Sequence, residues 1–160
     1  MVRMGELAVS KVPGDVLVSI GLGSCIGLAL VDRARSLAGL AHVMLPESTG
    51  TPDAANRHKF ADLAVPALVD KMVALGSSAT RLEAVLVGGA RMFAFGGSSL
   101  DIGARNEEAT LAQLAGRRIK VVASATSGSR GRTVRVHVDG CRVVSKEAGG
   151  VEQLLVGEGP

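Results

Sequence analysis

Two neighbouring segments, residues 25–31 and 38–45, are apolar at almost every position. A strand that is apolar on both faces must be covered on both, whereas a strand at the surface of a one-sided sheet alternates apolar and polar residues. We therefore expect these segments to be central strands of a layered fold. Only 2% of the residues are aromatic, so small aliphatic side chains must fill the layers, which favours close packing.

The remaining pattern predicts further short strands and two helices. Apolar residues recur at helical spacing over residues 59–75, with Gly76 as the C-terminal cap and Pro66 expected to kink the helix or force a local adjustment. A second helix is predicted over residues 104–114, after a loop over residues 88–97. The predicted strands are residues 6–11, 16–20, 25–31, 38–45, 82–87, 119–124, 133–138 and 141–146. This order predicts an α/β (α+β) layered sandwich with a mixed, largely antiparallel sheet and two main helices.

The two residues Asp139-Gly140 predict a tight hairpin turn between the last two strands. A length of 160 residues predicts a single domain over residues 1–160, with a mobile tail from about residue 150. Residues 1–9 do not resemble a signal peptide, and no apolar run approaches the roughly 18 residues of a membrane span. We therefore expect a cytoplasmic protein without membrane insertion.

The distribution of charged residues argues against a nucleic-acid partner. The formal net charge is +3, but Lys and Arg are scattered along the chain and do not form the basic cluster typical of nucleic-acid binding. No group of Cys and His has the spacing of zinc ligands, so that neither a metal nor a cofactor is expected. The two cysteines, Cys25 and Cys141, are expected to be reduced thiols.

The segment Gly-Leu-Gly-Ser-Cys, residues 21–25, combines a glycine turn with a cysteine at the start of an apolar strand. The glycines let the backbone bend tightly, and the amide of Cys25 could then stabilise an oxyanion. Such an arrangement suits acyl transfer by a cysteine nucleophile. The alternative is a turn followed by an ordinary buried cysteine. A dinucleotide-binding loop is excluded, because its third glycine would fall at Ile26 and a strand follows, not a helix.

A cysteine nucleophile needs a base, and strand pairing selects His42 among the three histidines. In a hairpin centred between Arg33 and Ala34, paired positions sum to 67, which places Cys25 directly opposite His42. Their Cβ atoms would then be about 4.5–5.5 Å apart, and a protonated imidazole would lower the pKa of the thiol. The alternative is a core histidine bound to a backbone group; His137 has no such relation to Cys25.

Three further sites have both a catalytic and a structural interpretation. Ser19, on the preceding strand, is a candidate for orienting the imidazole, or is simply a serine at a strand end. Polar loops at residues 101–106 and 126–132 could border a cleft. We favour the structural interpretation there: Gly103 and Asn106 enter or cap a helix, and Arg130 and Arg132 are solvated or paired with surface carboxylates.

Several segments together resemble the CheD family of chemoreceptor glutamine deamidases along nearly the whole chain. They are GLGSC at residues 21–25, AHVMLP at 41–46, GGA at 88–90, MF at 92–93, IGARN at 102–106 and GSRGR at 128–132. The resemblance implies that Cys25 is the nucleophile and His42 the general base. Ser19 falls at the third position, which carries Thr in a related protein, and Ser127-Gly128-Ser129 departs from a Gly-Gly version of that loop.

The resemblance also implies an activity. It is hydrolysis of selected Gln side-chain amides of methyl-accepting chemoreceptors to Glu through a Cys–His thioester mechanism, in bacterial chemotaxis. It implies a fold similar to the catalytic domain of the cytotoxic necrotizing factor toxins, and a monomer whose partners are receptor cytoplasmic helices and a CheC-type phosphatase. One alternative is a binding partner that activates the phosphatase with little or no amidase activity. Another is a cysteine peptidase.

Overall fold

The structure, a computed structural model, describes residues 1–92 and 101–157. Within these ranges the chain forms two α-helices, α1 (Ala61–Ala74) and α2 (Ile102–Gly116), and nine strands. In chain order the strands are β1 (Leu7–Ser10), β2 (Val16–Leu22), β3 (Ile26–Asp32), β4 (Leu37–Val43), β5 (Glu83–Gly88), β6 (Lys120–Thr126), β7 (Arg132–His137), β8 (Arg142–Glu147) and β9 (Glu152–Val156). Residues 93–97 of the predicted loop and residues 158–160 of the predicted tail lie outside the described residues.

The strands divide between two sheets, where the sequence predicted one. The first sheet has the order β1-β4-β3-β5-β6, and the second has the order β2-β7-β8-β9. All pairs are antiparallel except β5 with β6. The predicted class, mixed α and β with two helices and largely antiparallel strands, is therefore confirmed.

The first sheet is the middle layer of three. Ile26, Leu28 and Leu30 of β3 pack in a core cluster with the helix α1, whereas Ala29 and Val31 pack in a second cluster with strands of the other sheet. Every residue of β3 and β4 is buried. The prediction that these two strands are covered on both faces is thus confirmed.

The β3–β4 hairpin differs from the predicted register. Gly27 pairs with His42 and Asp32 pairs with Leu37, so that paired positions sum to 69 and not to 67. The strand continues through Asp32 because its buried carboxylate accepts hydrogen bonds from Ser77 Oγ at 2.7 Å and Arg81 Nε at 3.1 Å. The turn therefore occupies residues 33–36, with Ser36 in the left-handed region at φ 51°. The predicted direct pairing of Cys25 with His42 is wrong.

Two other predictions need revision at the end of the chain. The β7–β8 hairpin is present, but His137 pairs with Arg142, so its connection is four residues long, with Gly140 and Cys141 at φ 72° and 47°. The longer turn lets the Cys141 side chain become buried. The segment predicted as a tail contains β9, which pairs with β8.

Helix α1 is continuous across Pro66 and ends before Gly76, whose φ of 113° suits the predicted cap.

Candidate functional site

Cys25 lies immediately before β3, where the ends of β4 and β5 and the first turns of α2 meet. Its side chain is half-buried, and its carbonyl oxygen accepts a hydrogen bond from Gly89 N at 2.9 Å. Gly88, the last residue of β5, has a φ of 109°. A Cβ atom there would overlap the carbonyl oxygen of Cys25. The end of β5 thus approaches the cysteine so closely that only glycine fits.

His42 shares a face of the first sheet with Cys25. Its strand partner is Gly27, and Cys25 lies two residues before Gly27. Because side chains alternate between the two faces of a strand, positions two apart share a face. The revised register differs from the predicted one by two positions, so the predicted face is retained. Cys25 itself lies before the paired part of β3, but it packs against the hydrophobic cluster between the two sheets, which also contains Leu40 of β4. Leu40 and His42 are two positions apart on β4 and share a face, so Cys25 and His42 lie on the same side of the first sheet.

Among the residues that the structure describes, one hydrogen bond holds the imidazole of His42. The ring is buried, with 3% of the residue exposed, and Nδ1 lies 3.2 Å from the carbonyl oxygen of Val2. A carbonyl oxygen can only accept, so Nδ1 carries the hydrogen and, in the neutral ring, Nε2 is the acceptor. Nε2 is buried and has no hydrogen-bond partner among the described residues. The site therefore contains a buried base nitrogen available to take a proton.

Ser19 reaches the same carbonyl oxygen from the second sheet. It is fully buried on β2, and its Oγ donates to the Val2 oxygen at 2.7 Å. The hydroxyl and the imidazole thus meet on a shared acceptor, where the sequence predicted that Ser19 itself would orient the ring. Sequence reasoning missed Val2 because the group involved is a backbone atom, which no side-chain pattern can reveal.

Burial determines the charge state of the pair. It raises the pKa of the Cys25 thiol. It also lowers the pKa of His42, although the hydrogen bond to Val2 and the nearby charge of Glu6 act in the opposite direction. Both shifts favour the neutral thiol and the neutral imidazole. The predicted lowering of the thiol pKa is therefore not found in this state of the site.

Asn106 connects the backbone segments that carry the two side chains. It is fully buried on α2, and its Nδ2 donates to the carbonyl oxygens of Ser24 and Met44, each at 2.9 Å. Ser24 precedes Cys25, and Met44 follows His42 by two residues. Asn106 lies in the first turns of α2, in agreement with the prediction that it enters the helix, but it does not cap it, because Asp101 caps α2 by accepting from Ala104 N.

The neighbouring loop is held by Arg132. Its Nη1 donates to the carbonyl oxygens of Ser127 at 2.7 Å and Gly88 at 3.3 Å. The expectation of a solvated or carboxylate-paired Arg132 is therefore wrong, whereas Arg130 is exposed as expected. Gly103 packs so closely that a Cβ atom would collide with the carbonyl oxygens of the 88–90 loop, which explains glycine there better than capping.

The second cysteine is remote from this site. Cys141 Sγ lies 3.6 Å from the carbonyl oxygen of Asp32, the last residue of β3. Asp32 is seven positions along the extended strand from Cys25, which is about 23 Å at roughly 3.3 Å per residue. A disulfide requires Cα atoms within about 7 Å, so these cysteines cannot be joined in this fold.

Neither a metal-binding cluster nor a membrane-spanning helix is found among the described residues. Residues 1–92 and 101–157 contain no group of three or more His, Cys, Asp or Glu side chains placed to hold a metal ion. Among the helices in these ranges, none is long and apolar enough to cross a membrane.

Comparison with known proteins identifies the family. The family model for CheD, described as chemotactic sensory transduction, matches residues 44–147. The chemoreceptor glutamine deamidase CheD of Thermotoga maritima is 40% identical over 158 residues, which is 99% of this chain and 98% of that protein. The probable chemoreceptor glutamine deamidase CheD of Symbiobacterium thermophilum is 44% identical over 157 residues, 96% of this chain and 95% of that protein.

A third relative, the probable chemoreceptor glutamine deamidase CheD of Clostridium botulinum (strain Alaska E43), is 46% identical over 135 residues, 83% of each chain. The matched region of the family model begins after Cys25 and His42, but the alignment with the Thermotoga protein spans nearly the whole chain, including the site. The family suggested by the sequence motifs is therefore confirmed. This chain belongs to the CheD family.

Proposed function

We propose that this protein is a protein-glutamine deamidase that converts selected Gln side chains of methyl-accepting chemoreceptors to Glu in bacterial chemotaxis. Its relatives are named chemoreceptor glutamine deamidases and align over most of both chains. The observation that carries the proposal is the buried Nε2 of His42, which has no hydrogen-bond partner among residues 1–92 and 101–157 and lies on the same side of the first sheet as Cys25. Hydrolysis of an amide by a thiol requires a base at this location.

The neutral pair suits a mechanism in which the proton moves as the bond forms. His42 Nε2 takes the Cys25 proton while Sγ attacks the carbonyl carbon of the Gln side chain. The tetrahedral oxyanion is stabilised by backbone amides of the glycine turn, including that of Cys25. The imidazolium then protonates the departing ammonia, which leaves a thioester. His42 next deprotonates a water molecule that attacks the thioester, yielding Glu and restoring the thiol.

The remaining expectations are proposals that follow from the family. Ser19 serves as a positioning residue, since its hydroxyl lies on the carbonyl that binds His42 Nδ1. The substrate is a cytoplasmic helix of the receptor, so the protein acts in the cytoplasm. It is a monomer, and it also binds a CheC-type phosphatase. The single domain is similar to the catalytic domain of the cytotoxic necrotizing factor toxins. Two sheets with helices on the outer face of one are compatible with that similarity.

The test is incubation with a chemoreceptor cytoplasmic fragment, with ammonia release and Gln-to-Glu conversion followed by mass spectrometry. Cys25→Ala is expected to abolish both signals, and His42→Ala to slow them by roughly 10²–10⁴-fold. Cys141→Ala and His58→Ala are the matched controls, because both side chains lie outside the site. Activity that survives in both Cys25→Ala and His42→Ala would refute the assigned site. Activation of a CheC-type phosphatase without any ammonia release would favour the binding-partner alternative.

A further inference from the structure

The carbonyl oxygen of Val2 accepts two hydrogen bonds at the centre of the site. One comes from His42 Nδ1 at 3.2 Å and the other from Ser19 Oγ at 2.7 Å. A carbonyl oxygen has two lone pairs, so these two donors satisfy it fully. Both donor side chains are buried. Buried polar groups lose their hydrogen bonds to water, and the Val2 carbonyl oxygen replaces those bonds for both donors.

Residues 1–6 are held against both sheets by their backbone. Val2 N donates to Val18 O of β2 at 2.7 Å, which ties the segment to the second sheet. On the other side, Gly5 N donates to His42 O at 2.9 Å and His42 N donates to Glu6 O at 3.0 Å. The segment therefore binds both the backbone and the imidazole of His42, and it spans the boundary between the sheets.

The Val2 side chain is the hydrophobic anchor of this segment. Only 2% of Val2 is exposed, and it packs in the cluster between the two sheets. Its neighbours Arg3 and Met4 are exposed. This buried side chain and the backbone hydrogen bonds of the segment together fix the position of the Val2 carbonyl.

We infer that the Val2 carbonyl oxygen is the group that orients the base of this enzyme, and that Ser19 is a positioning residue that acts through Val2. The carbonyl selects the tautomer with hydrogen on Nδ1, which leaves Nε2 free to accept the Cys25 proton. The Ser19 hydroxyl occupies the second lone pair and prevents the carbonyl from turning away. The inference rests on the proposed function only for its kinetic consequence, since the tautomer itself is a property of the resting protein.

The experiment measures the tautomer directly. Protein labelled with ¹⁵N in its histidines is recorded by NMR above the titration range of His42, where the two ring nitrogens of the neutral ring have distinct shifts. The wild-type protein is expected to show hydrogen on Nδ1 of His42. Val2→Gly and Ser19→Ala are expected to shift His42 towards the other tautomer, whereas Ser19→Thr keeps the hydroxyl and restores the wild-type spectrum. Val12→Gly, at an exposed valine, is the control.

The kinetic part uses the same variants. Val2→Gly is expected to lower kcat by about 10²-fold, the cost of a misplaced catalytic group, with KM unchanged; Ser19→Ala loses less. Hydrogen on Nε2 in the wild-type protein, or an unchanged tautomer in folded Ser19→Ala, would overturn the inference. Because the NMR readout needs no substrate, it stands even if the wild-type protein releases no ammonia, an outcome that would count only against the proposed deamidase activity.

Discussion

The chemistry of the site depends on how burial affects one imidazole. Burial lowers the pKa of His42, so the ring stays neutral, and can act as a base, to a lower pH than an exposed histidine with a pKa of about 6.5. We expect the acid limb of kcat/KM for deamidation to lie below that value, because activity is lost as the falling pH protonates Nε2. The measurement is a pH–rate profile together with an NMR titration of His42.

The comparison for this pH dependence is Glu6→Gln. The charge of Glu6 raises the pKa of His42, so removing it is expected to move the acid limb further towards low pH. A limb at or above the ordinary histidine pKa, or one that Glu6→Gln shifts upwards, would contradict the assignment of a buried neutral base.

The Asn106 side chain links the segments that carry Cys25 and His42. Asn106→Leu removes the donor to two carbonyl oxygens, and each acceptor left buried without a donor costs about 1–3 kcal/mol. We therefore expect a lower free energy of unfolding in urea and a lower kcat. The control is Gln113→Ala, a partly exposed polar position on the same helix. Wild-type stability and activity in Asn106→Leu would show that these two bonds do not matter.

At the level of the elements, the β3–β4 hairpin shows what pairing arguments can predict. The face shared by Cys25 and His42 was predicted correctly, because it depends only on whether positions are an even or odd number of residues apart. The register of the hairpin was predicted incorrectly, because it depends on the residue at which the turn begins. Asp32 extends the strand through contacts with Ser77 and Arg81, residues more than forty positions away in sequence, which no local pattern encodes.

The end of β5 is predicted to be the element most sensitive to an added methyl group. In Gly88→Ala the residue must adopt a φ of 109° with its Cβ against the Cys25 carbonyl. The backbone strain alone costs about 1–2 kcal/mol, so we expect a large loss of stability and of deamidase activity. Gly116→Ala is the matched control, since an added Cβ there meets no described atom within 4 Å apart from its chain neighbours and the backbone of its own helix. Thermal unfolding of both variants tests this; an equally stable Gly88→Ala would contradict it.

At the scale of the whole molecule, the apolar pattern of the sequence predicts a layered fold, but it does not predict that the strands divide between two sheets. Strands apolar on both faces require cover on both, and that requirement predicted the central position of β3 and β4. The second sheet forms where β2 pairs with β7, with Val16 opposite His137. These two strands are far apart in the sequence, so no local pattern predicts their pairing. The orienting Val2 carbonyl belongs to the same class of feature, since it becomes part of the site only when the two sheets meet.

The layered fold also separates a stabilising site from the proposed catalytic one. The Asp32 carboxylate lies at the opposite end of β3 from Cys25. Burial raises its pKa, but the hydrogen bonds from Ser77 and Arg81, together with the positive charge of Arg81, outweigh burial, and the pKa lies below its ordinary value. A carboxyl whose pKa is lower in the folded state contributes stability above the unfolded pKa of about 3.9, and this is lost as the pH falls through the folded pKa.

Asp32→Asn is therefore expected to lower the free energy of unfolding at neutral pH by about 1.5–3 kcal/mol, the contribution of hydrogen bonds to a charged group. The difference from wild type should shrink as the pH falls below about 4, since Asp32 is then protonated too. Activity at temperatures where the variant is folded should be unchanged, because roughly 23 Å of strand separates this carboxylate from Cys25. Urea unfolding across pH and a deamidation assay measure both effects, with Asp70→Asn as the exposed control. A loss of activity in the folded Asp32→Asn protein would mean that the two ends of β3 are coupled through the middle layer, and that the catalytic geometry depends on the whole hairpin.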